Sequence, residues 1–182
     1  MKQRLLFLGP PGAGKGTQAQ RLAASHDLLH LSTGDLLRAE VAAGTPLGQE
    51  AEAVMARGEL VSDDLVLAIV RQRLAGQSGG WLLDGFPRNL PQAVALDRLL
   101  DELGQSIERV VLMELEDPVL VQRLLARGRA DDNEEVIRHR LHVYREQTAP
   151  LIAHYQAMGL LESVEANGTV EDIGGRILSL LE

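Results

Sequence analysis

The stretch Arg4-Leu5-Leu6-Phe7-Leu8-Gly9-Pro10-Pro11-Gly12-Ala13-Gly14-Lys15-Gly16-Thr17-Gln18-Ala19-Gln20-Arg21-Leu22-Ala23-Ala24 decides the fold. Its apolar start reads as a strand buried on both faces, and its end from Gly16 reads as a helix. Between them lies a glycine loop. Successive backbone N–H groups of such a loop converge on phosphate oxygens, the helix N-terminus favours negative charge, and a lysine reaches the outer phosphates. Glycine is required there because a side chain would hold the anion away. Gly12, Ala13, Gly14, Lys15, Gly16 and Thr17 are therefore the candidate phosphate-binding residues. The general pattern wants Ser or Thr directly after the lysine, but here Gly16 intervenes before Thr17, so no metal-ligand role is given to the Thr17 hydroxyl.

The rest of the chain repeats the alternation. Trp81-Leu82-Leu83-Asp84, Arg109-Val110-Val111-Leu112-Met113-Glu114-Leu115 and Leu160-Leu161-Glu162-Ser163-Val164 read as buried strands, with Leu28-Leu29-His30-Leu31 a weaker candidate. Strands apolar on both faces and joined by helices predict an α/β fold, a parallel sheet flanked by helices on both faces. Helix starts are expected at Ser32 with Asp35, at Ser62, at Asp117 before Pro118 and at Thr169 with Asp172. Residues 32–61 read as two short helices broken at Gly44-Thr45-Pro46, a helical flap inserted between strands. A long helix over 133–155 should be kinked or split by Pro150.

Composition narrows the function. The 182 residues carry a net charge of −8 and few aromatics, which argues against nucleic acid as a partner. No apolar run approaches the ~18 residues of a membrane span. With no cysteine there is no disulfide frame, no thiolate nucleophile and no cysteine zinc site. These features, with no export signal after the first apolar run, lead us to expect a cytoplasmic, soluble chain, and nothing advertises an interface, so a monomer is expected. Lysine occurs only at Lys2 and Lys15, every other basic residue being Arg, so Lys15 stands out.

An acid closing a buried parallel strand lies at the ligand-binding edge of an open α/β sheet, where it can hold magnesium or its waters. Asp84 occupies that place. Five histidines offer only His139-x-x-His142 as metal-like spacing, without a third ligand, and are read as surface or satisfied side chains.

Gly9-x-Pro11-Gly12-x-Gly14-Lys15-Gly16-Thr17 resembles the P-loop of nucleoside monophosphate kinases, and the later motifs resemble adenylate kinases from Arg4 to about Ile173. The resemblance implies a P-loop NTPase-type fold, with 32–61 as monophosphate-binding flap and 126–132 as a minimal lid, within a single domain of residues 1–182. In His30-Leu31-Ser32-Thr33-Gly34-Asp35-Leu36-Leu37-Arg38 it implies that Thr33 meets the acceptor adenine and Arg38 its phosphate. Glu59, Leu60 and Val61 would line the adenine pocket. Asp84-Gly85-Phe86-Pro87-Arg88 would place Gly85, Phe86 and Pro87 at AMP and Arg88 between donor and acceptor phosphates, with Gln92 reading the adenine edge.

The same resemblance makes Arg123, Arg127, Arg129 and Arg140 phosphate ligands. Arg123 and Arg127 would lie on the ATP side with Gly168, and Arg129 and Arg140 on the AMP side. The lid is shortened to Arg127-Gly128-Arg129, which leaves open how Arg127 and Arg129 divide the two nucleotides. Lys15, Arg88 and these arginines are the expected catalytic set. ATP, AMP and ADP are the expected partners, Mg2+ travels with ATP, and no zinc is expected. Pairing Thr33 with Gln92 points to AMP; a UMP/CMP kinase would be expected to carry alanine and asparagine. A P-loop ATP-sensing module remains the alternative from another class, but it would need neither an acceptor pocket nor Arg88.

Overall fold

Strand β1 (Arg4–Leu8) occupies the centre of the sheet, and its alternating residues divide the hydrophobic core in two. In the computed structural model, which describes residues 2–56, 61–128 and 133–182, five strands lie in the order β2-β3-β1-β4-β5. The others are β2 (Leu29–Ser32), β3 (Trp81–Asp84), β4 (Arg109–Glu114) and β5 (Leu161–Glu165), and every pairing is parallel. The expected α/β sheet is thus present, and the weak candidate at 28–31 is its edge strand.

Leu6, Leu8, Leu31, Leu83 and Leu112 face one cluster, with helices α2 (Thr33–Ala43), α3 (Pro46–Ala56), α4 (Asp63–Ala75) and α5 (Leu90–Glu102). Leu5, Phe7, Leu82, Val111 and Met113 face the other, with α1 (Lys15–His26), α6 (Asp117–Arg127) and α8 (Val170–Leu181). Helix α7 (Glu134–Ala157) joins both: Ile137 and Leu141 belong to the second cluster, Leu151 and Tyr155 to the first. It therefore passes from one face of the sheet to the other. Of the kink or split expected at Pro150, the split does not occur: α7 runs on through it, and Leu151 and Tyr155, both fully buried, hold the following turns in the core.

The expected helix starts differ in how they are capped. Ser62 accepts a hydrogen bond from Leu65 N at 3.2 Å, and Thr169 with Asp172 forms a capping box. Ser32 is the N-cap of α2 but its side chain makes no capping bond, and the Asp35 carboxylate pairs with Arg38. Asp117 is the first residue of α6 rather than its cap, which is Glu116.

The flap consists of the two expected helices, and their contact is backbone on backbone. A methyl group at Gly48 would stand 1.9 Å from the Glu40 carbonyl oxygen of α2. Beneath this crossing Glu40, 1% exposed, takes the Thr45 hydroxyl and an Arg73 guanidinium at 3.0 Å, tying the flap to α4. Gly48→Ala is expected to cost about 3 kcal/mol, a fall in Tm of about 10 °C, because the backbone must separate to admit the methyl. Calorimetry reads the effect directly, and a Tm within a degree of the parent would contradict this packing.

Candidate active site

Helix α1 begins at Lys15 directly after the loop, its N-cap being Gly14 in the left-handed region (φ 87°), as is Gly12. No side chain caps this helix, so its first-turn N–H groups are left to a ligand. A methyl at Gly16 would meet nothing within 4 Å, and Gly16 has no positive φ. The protein's own packing therefore does not require glycine there, whereas a close-approaching anion would. Ala13 is buried, and Gly14, Gly16 and Thr17 are exposed on the open side.

The loop faces the end of β3, in register with Ser32 of β2 and Phe7 of β1. There Asp84 Oδ1 lies 3.3 Å from the Lys15 ammonium. The His30 Nε2, buried and without a closer partner, stands 3.5 Å from Oδ2, a loose polar contact. Burial pushes the Asp84 carboxyl up, but His30 and the Lys15 charge more than reverse this, so it titrates below its ordinary value. Asp84 is thus an anion at neutral pH.

A cleft of about 500 Å³ opens over this pair, bringing together Gly9, Pro11, Lys15, Gly85, Pro87, Arg88 and Arg140. Its far wall is α7, which adds His139, Val143, Tyr144, Gln147 and Thr148. Burial pushes the Tyr144 hydroxyl up to about 12, so it stays protonated. His139 drew notice in the sequence only as half of a metal-like pair, and Val143, Tyr144, Gln147, Thr148 and His30 were not singled out for the cleft. Spacing of three, four and seven from Arg140 would have placed Val143, Tyr144 and Gln147 on its helical face. His30 was read as a surface or satisfied side chain, and its position one strand from Asp84 corrects that.

Other candidates sit around the cleft rather than in it. Thr33 is 9% exposed, with its hydroxyl against Gly85, where an added methyl would come within 3.2 Å. Phe86 is buried in the first core cluster, which Val61 packs against. Arg38 is exposed and paired with Asp35. The Gln92 amide is satisfied at both ends: it accepts from Arg88 N at 2.7 Å and donates to Asp63 at 2.7 Å, so an adenine edge would have to displace one of these bonds.

Arg123 reaches carbonyls, donating to Gly12 O at 3.3 Å and Ala166 O at 3.1 Å, and so joins the glycine loop to the segment before α8. Gly168 lies in that segment with φ 126°. Arg127 ends α6 and Gly128 caps it. Glu59, Leu60 and Arg129 lie outside the described residues, as does most of the 126–132 lid.

Among the described residues no group of three His, Cys, Asp or Glu could hold a metal by itself. One ionised carboxylate beside a phosphate-binding loop does suit magnesium, which keeps several waters and is held by one or two carboxylates together with substrate phosphates. Asp84 fits that donor set.

N–H groups on the floor, cations on the walls and a single carboxylate suited to a hydrated metal equip this cleft to grip phosphates, not to form a covalent enzyme intermediate. On a parallel sheet of this order they define a nucleotide phosphotransferase of the P-loop class. The chain matches the family model for adenylate kinase over residues 7–160. It is 73% identical over 181 residues to an adenylate kinase of Synechococcus sp. strain RCC307, covering 100% of both chains. It is 74% identical over 178 residues to one of Synechococcus sp. strain WH7803, covering 97% of each, and 59% identical over 182 residues to one of Prochlorococcus marinus strain MIT 9211, covering 100% of this chain and 98% of the relative. The chain belongs to the adenylate kinase family.

Proposed function

We infer that the protein transfers the terminal phosphoryl group of MgATP to AMP, reversibly, giving two ADP. The observation that carries this reading is the Lys15–Asp84 pair at 3.3 Å under a cleft walled by Arg88 and Arg140, in a chain of this family. The attacking AMP phosphate oxygen is already ionised, so no general base is needed. Catalysis is positioning and neutralisation of phosphate charge. The first turn of α1 and Lys15 take the donor phosphates, Arg88 lies between donor and acceptor, and Arg140 closes the α7 side. Asp84 would hold the magnesium that travels with ATP through one of its waters, and the ion, when bound, adds positive charge at the donor phosphates.

The acceptor sits on the β2–β3 side, under the flap at 32–61, with Thr33 and Gln92 at its adenine and Arg38 at its phosphate. With so short a segment at 126–132, shielding of the donor phosphates falls to the arginines Arg123, Arg127, Arg129 and Arg140. We place the enzyme in the cytosol, which the absence of cysteine supports. We take it to act as a monomer, since one chain supplies every described wall of the cleft. Among the described residues no helix is long and apolar enough to cross a membrane.

AMP is expected to be the preferred acceptor. Incubating the protein with MgATP and AMP, UMP or CMP in turn, and following diphosphate formation, tests this. A higher kcat/KM for UMP or CMP would overturn the assignment, and no transfer to any of them would favour a nucleotide-sensing module.

A further inference from the structure

Gln92 is held at three atoms. Its backbone N–H donates to the side chain of Asn89, the N-cap of α5, at 3.0 Å, its Oε1 accepts from the Arg88 backbone N–H at 2.7 Å, and its Nε2 donates to Asp63 Oδ1 at 2.7 Å. The last of these bonds joins residues 29 positions apart and ties α5 to α4. Asp63 is the first residue of α4, after the Ser62 cap and two positions beyond the flap at 32–61.

The two partners of the amide are not interchangeable. A backbone N–H only donates and a carboxylate only accepts, so together they fix which end of the amide faces which way. Turned over, the amide would set Nε2 against the Arg88 N–H and Oε1 against the Asp63 carboxylate, two repulsive contacts in place of two bonds. An arriving base can replace the Asp63 bond more readily than the other: Asp63 is exposed and its carboxylate can turn to water, whereas the Arg88 N–H belongs to the loop that orients the Arg88 guanidinium. Adenine carries, side by side, a ring nitrogen that accepts and an amino group that donates. The ring nitrogen can take the place of Asp63 Oδ1 at Nε2 while the amino group meets the second lone pair of Oε1. Hypoxanthine reverses both positions, with a hydrogen on that ring nitrogen and an oxo group beside it.

We propose that Asp63 is a positioning residue for the acceptor site: as a stand-in acceptor it keeps the Gln92 amide in the polarity that a 6-amino purine needs and a 6-oxo purine opposes. This role rests on the phosphotransfer reading above, in which Gln92 meets the acceptor adenine, and adds to it a residue outside the cleft walls. Asp63 acts through Gln92 and yields its bond when the base arrives. Without it the Arg88 N–H alone orders the amide, and the reversed polarity becomes accessible.

AMP and IMP share ribose and phosphate and differ at this edge, so they are the probes, with MgATP as donor. The parent is expected to favour AMP over IMP by about tenfold or more in kcat/KM, because the wrong base leaves polar groups of the site unpaired. Asp63→Ala is expected to cut that ratio by about fivefold, on the scale of one hydrogen bond, through KM for the acceptor, leaving kcat with AMP and KM for MgATP within about twofold. Asp64→Ala is the control: it removes the same charge from the same first turn of α4, one residue away from the Gln92 bond, and is expected to leave the ratio unchanged. Parent protein that makes no ADP from MgATP and AMP would refute the phosphotransfer reading itself. A working parent with an AMP-to-IMP ratio near unity, a ratio unchanged in Asp63→Ala, or an equal fall in Asp64→Ala would overturn this inference alone. An Asp63→Ala chain unfolded at the assay temperature, or one losing AMP and IMP alike, would assign the residue to the stability of α4 and overturn the inference equally.

Discussion

Lys15→Met is expected to lower kcat by about 10³-fold or more while the sheet and helices persist, the scale that single cationic groups reach in phosphoryl transfer. Lys15 is the first residue of α1 and the only lysine in the cleft, and its ammonium stands between the loop and the end of β3, 3.3 Å from Asp84. Methionine fills similar space without charge, so the phosphates lose a fixed cation and Asp84 loses a partner. The second loss has a pH signature. The native Asp84 carboxyl lies below its ordinary value, so it stabilises the fold above about pH 4 and that contribution disappears as pH falls through the native value. Removing Lys15 leaves burial less opposed and moves the carboxyl up. The Tm gap between parent and variant should therefore be widest at neutral pH and close in acid. A folded variant with near-normal turnover would remove Lys15 from the mechanism.

Arg88→Ala is expected to produce a loss of similar size, about 10³-fold in kcat. Arg88 is exposed in the cleft yet oriented: its Nε donates to Gly85 O at 3.1 Å, and its backbone N–H is held by Gln92. Among the described residues nothing else takes the guanidinium, so its Nη groups remain for phosphate oxygens. An arginine held at one nitrogen and open at the others is prepared to meet charge that develops between two nucleotides. Arg88→Lys is expected to recover only part of the rate, because an ammonium lacks the forked geometry. Steady-state assays at saturating ATP and AMP, with circular dichroism as a fold control, measure both variants, and an unchanged kcat in Arg88→Ala would refute the role.

Much of the fold was legible because its signals are local. A run such as Leu5 to Leu8 must be buried on both faces, a glycine loop with lysine has one common structural setting, and Thr169 with Asp172 caps within four residues. Signals failed where a longer contact outcompeted a local one. Two core residues beyond Pro150 keep α7 continuous, against the helix-breaking habit of proline. The pairing of Glu40 with Arg73 across 33 positions leaves no local trace. Arginine was hardest to place, because a long flexible side chain gives a sequence position but not a destination. Arg123, expected at the donor phosphates, also donates to two backbone carbonyls, a second role that its position in the sequence does not announce. Asp84 and Lys15 were easier, since strand end and helix start fix them within the reach of short bonds.

Helix α7 is rooted at one end in the core above the sheet and at the other in the core below, with the cleft wall between its two anchorages. Repacking of either core bears on that wall. A volume change at Leu151 or Leu141 is expected to shift the span carrying Arg140 and Tyr144. Buried positions that elsewhere answer only to stability therefore answer here to substrate geometry as well. The range of residues the interior can accept while the fold survives is wider than the range it can accept while the cleft stays true, and laboratory evolution for thermostability would meet the second boundary first.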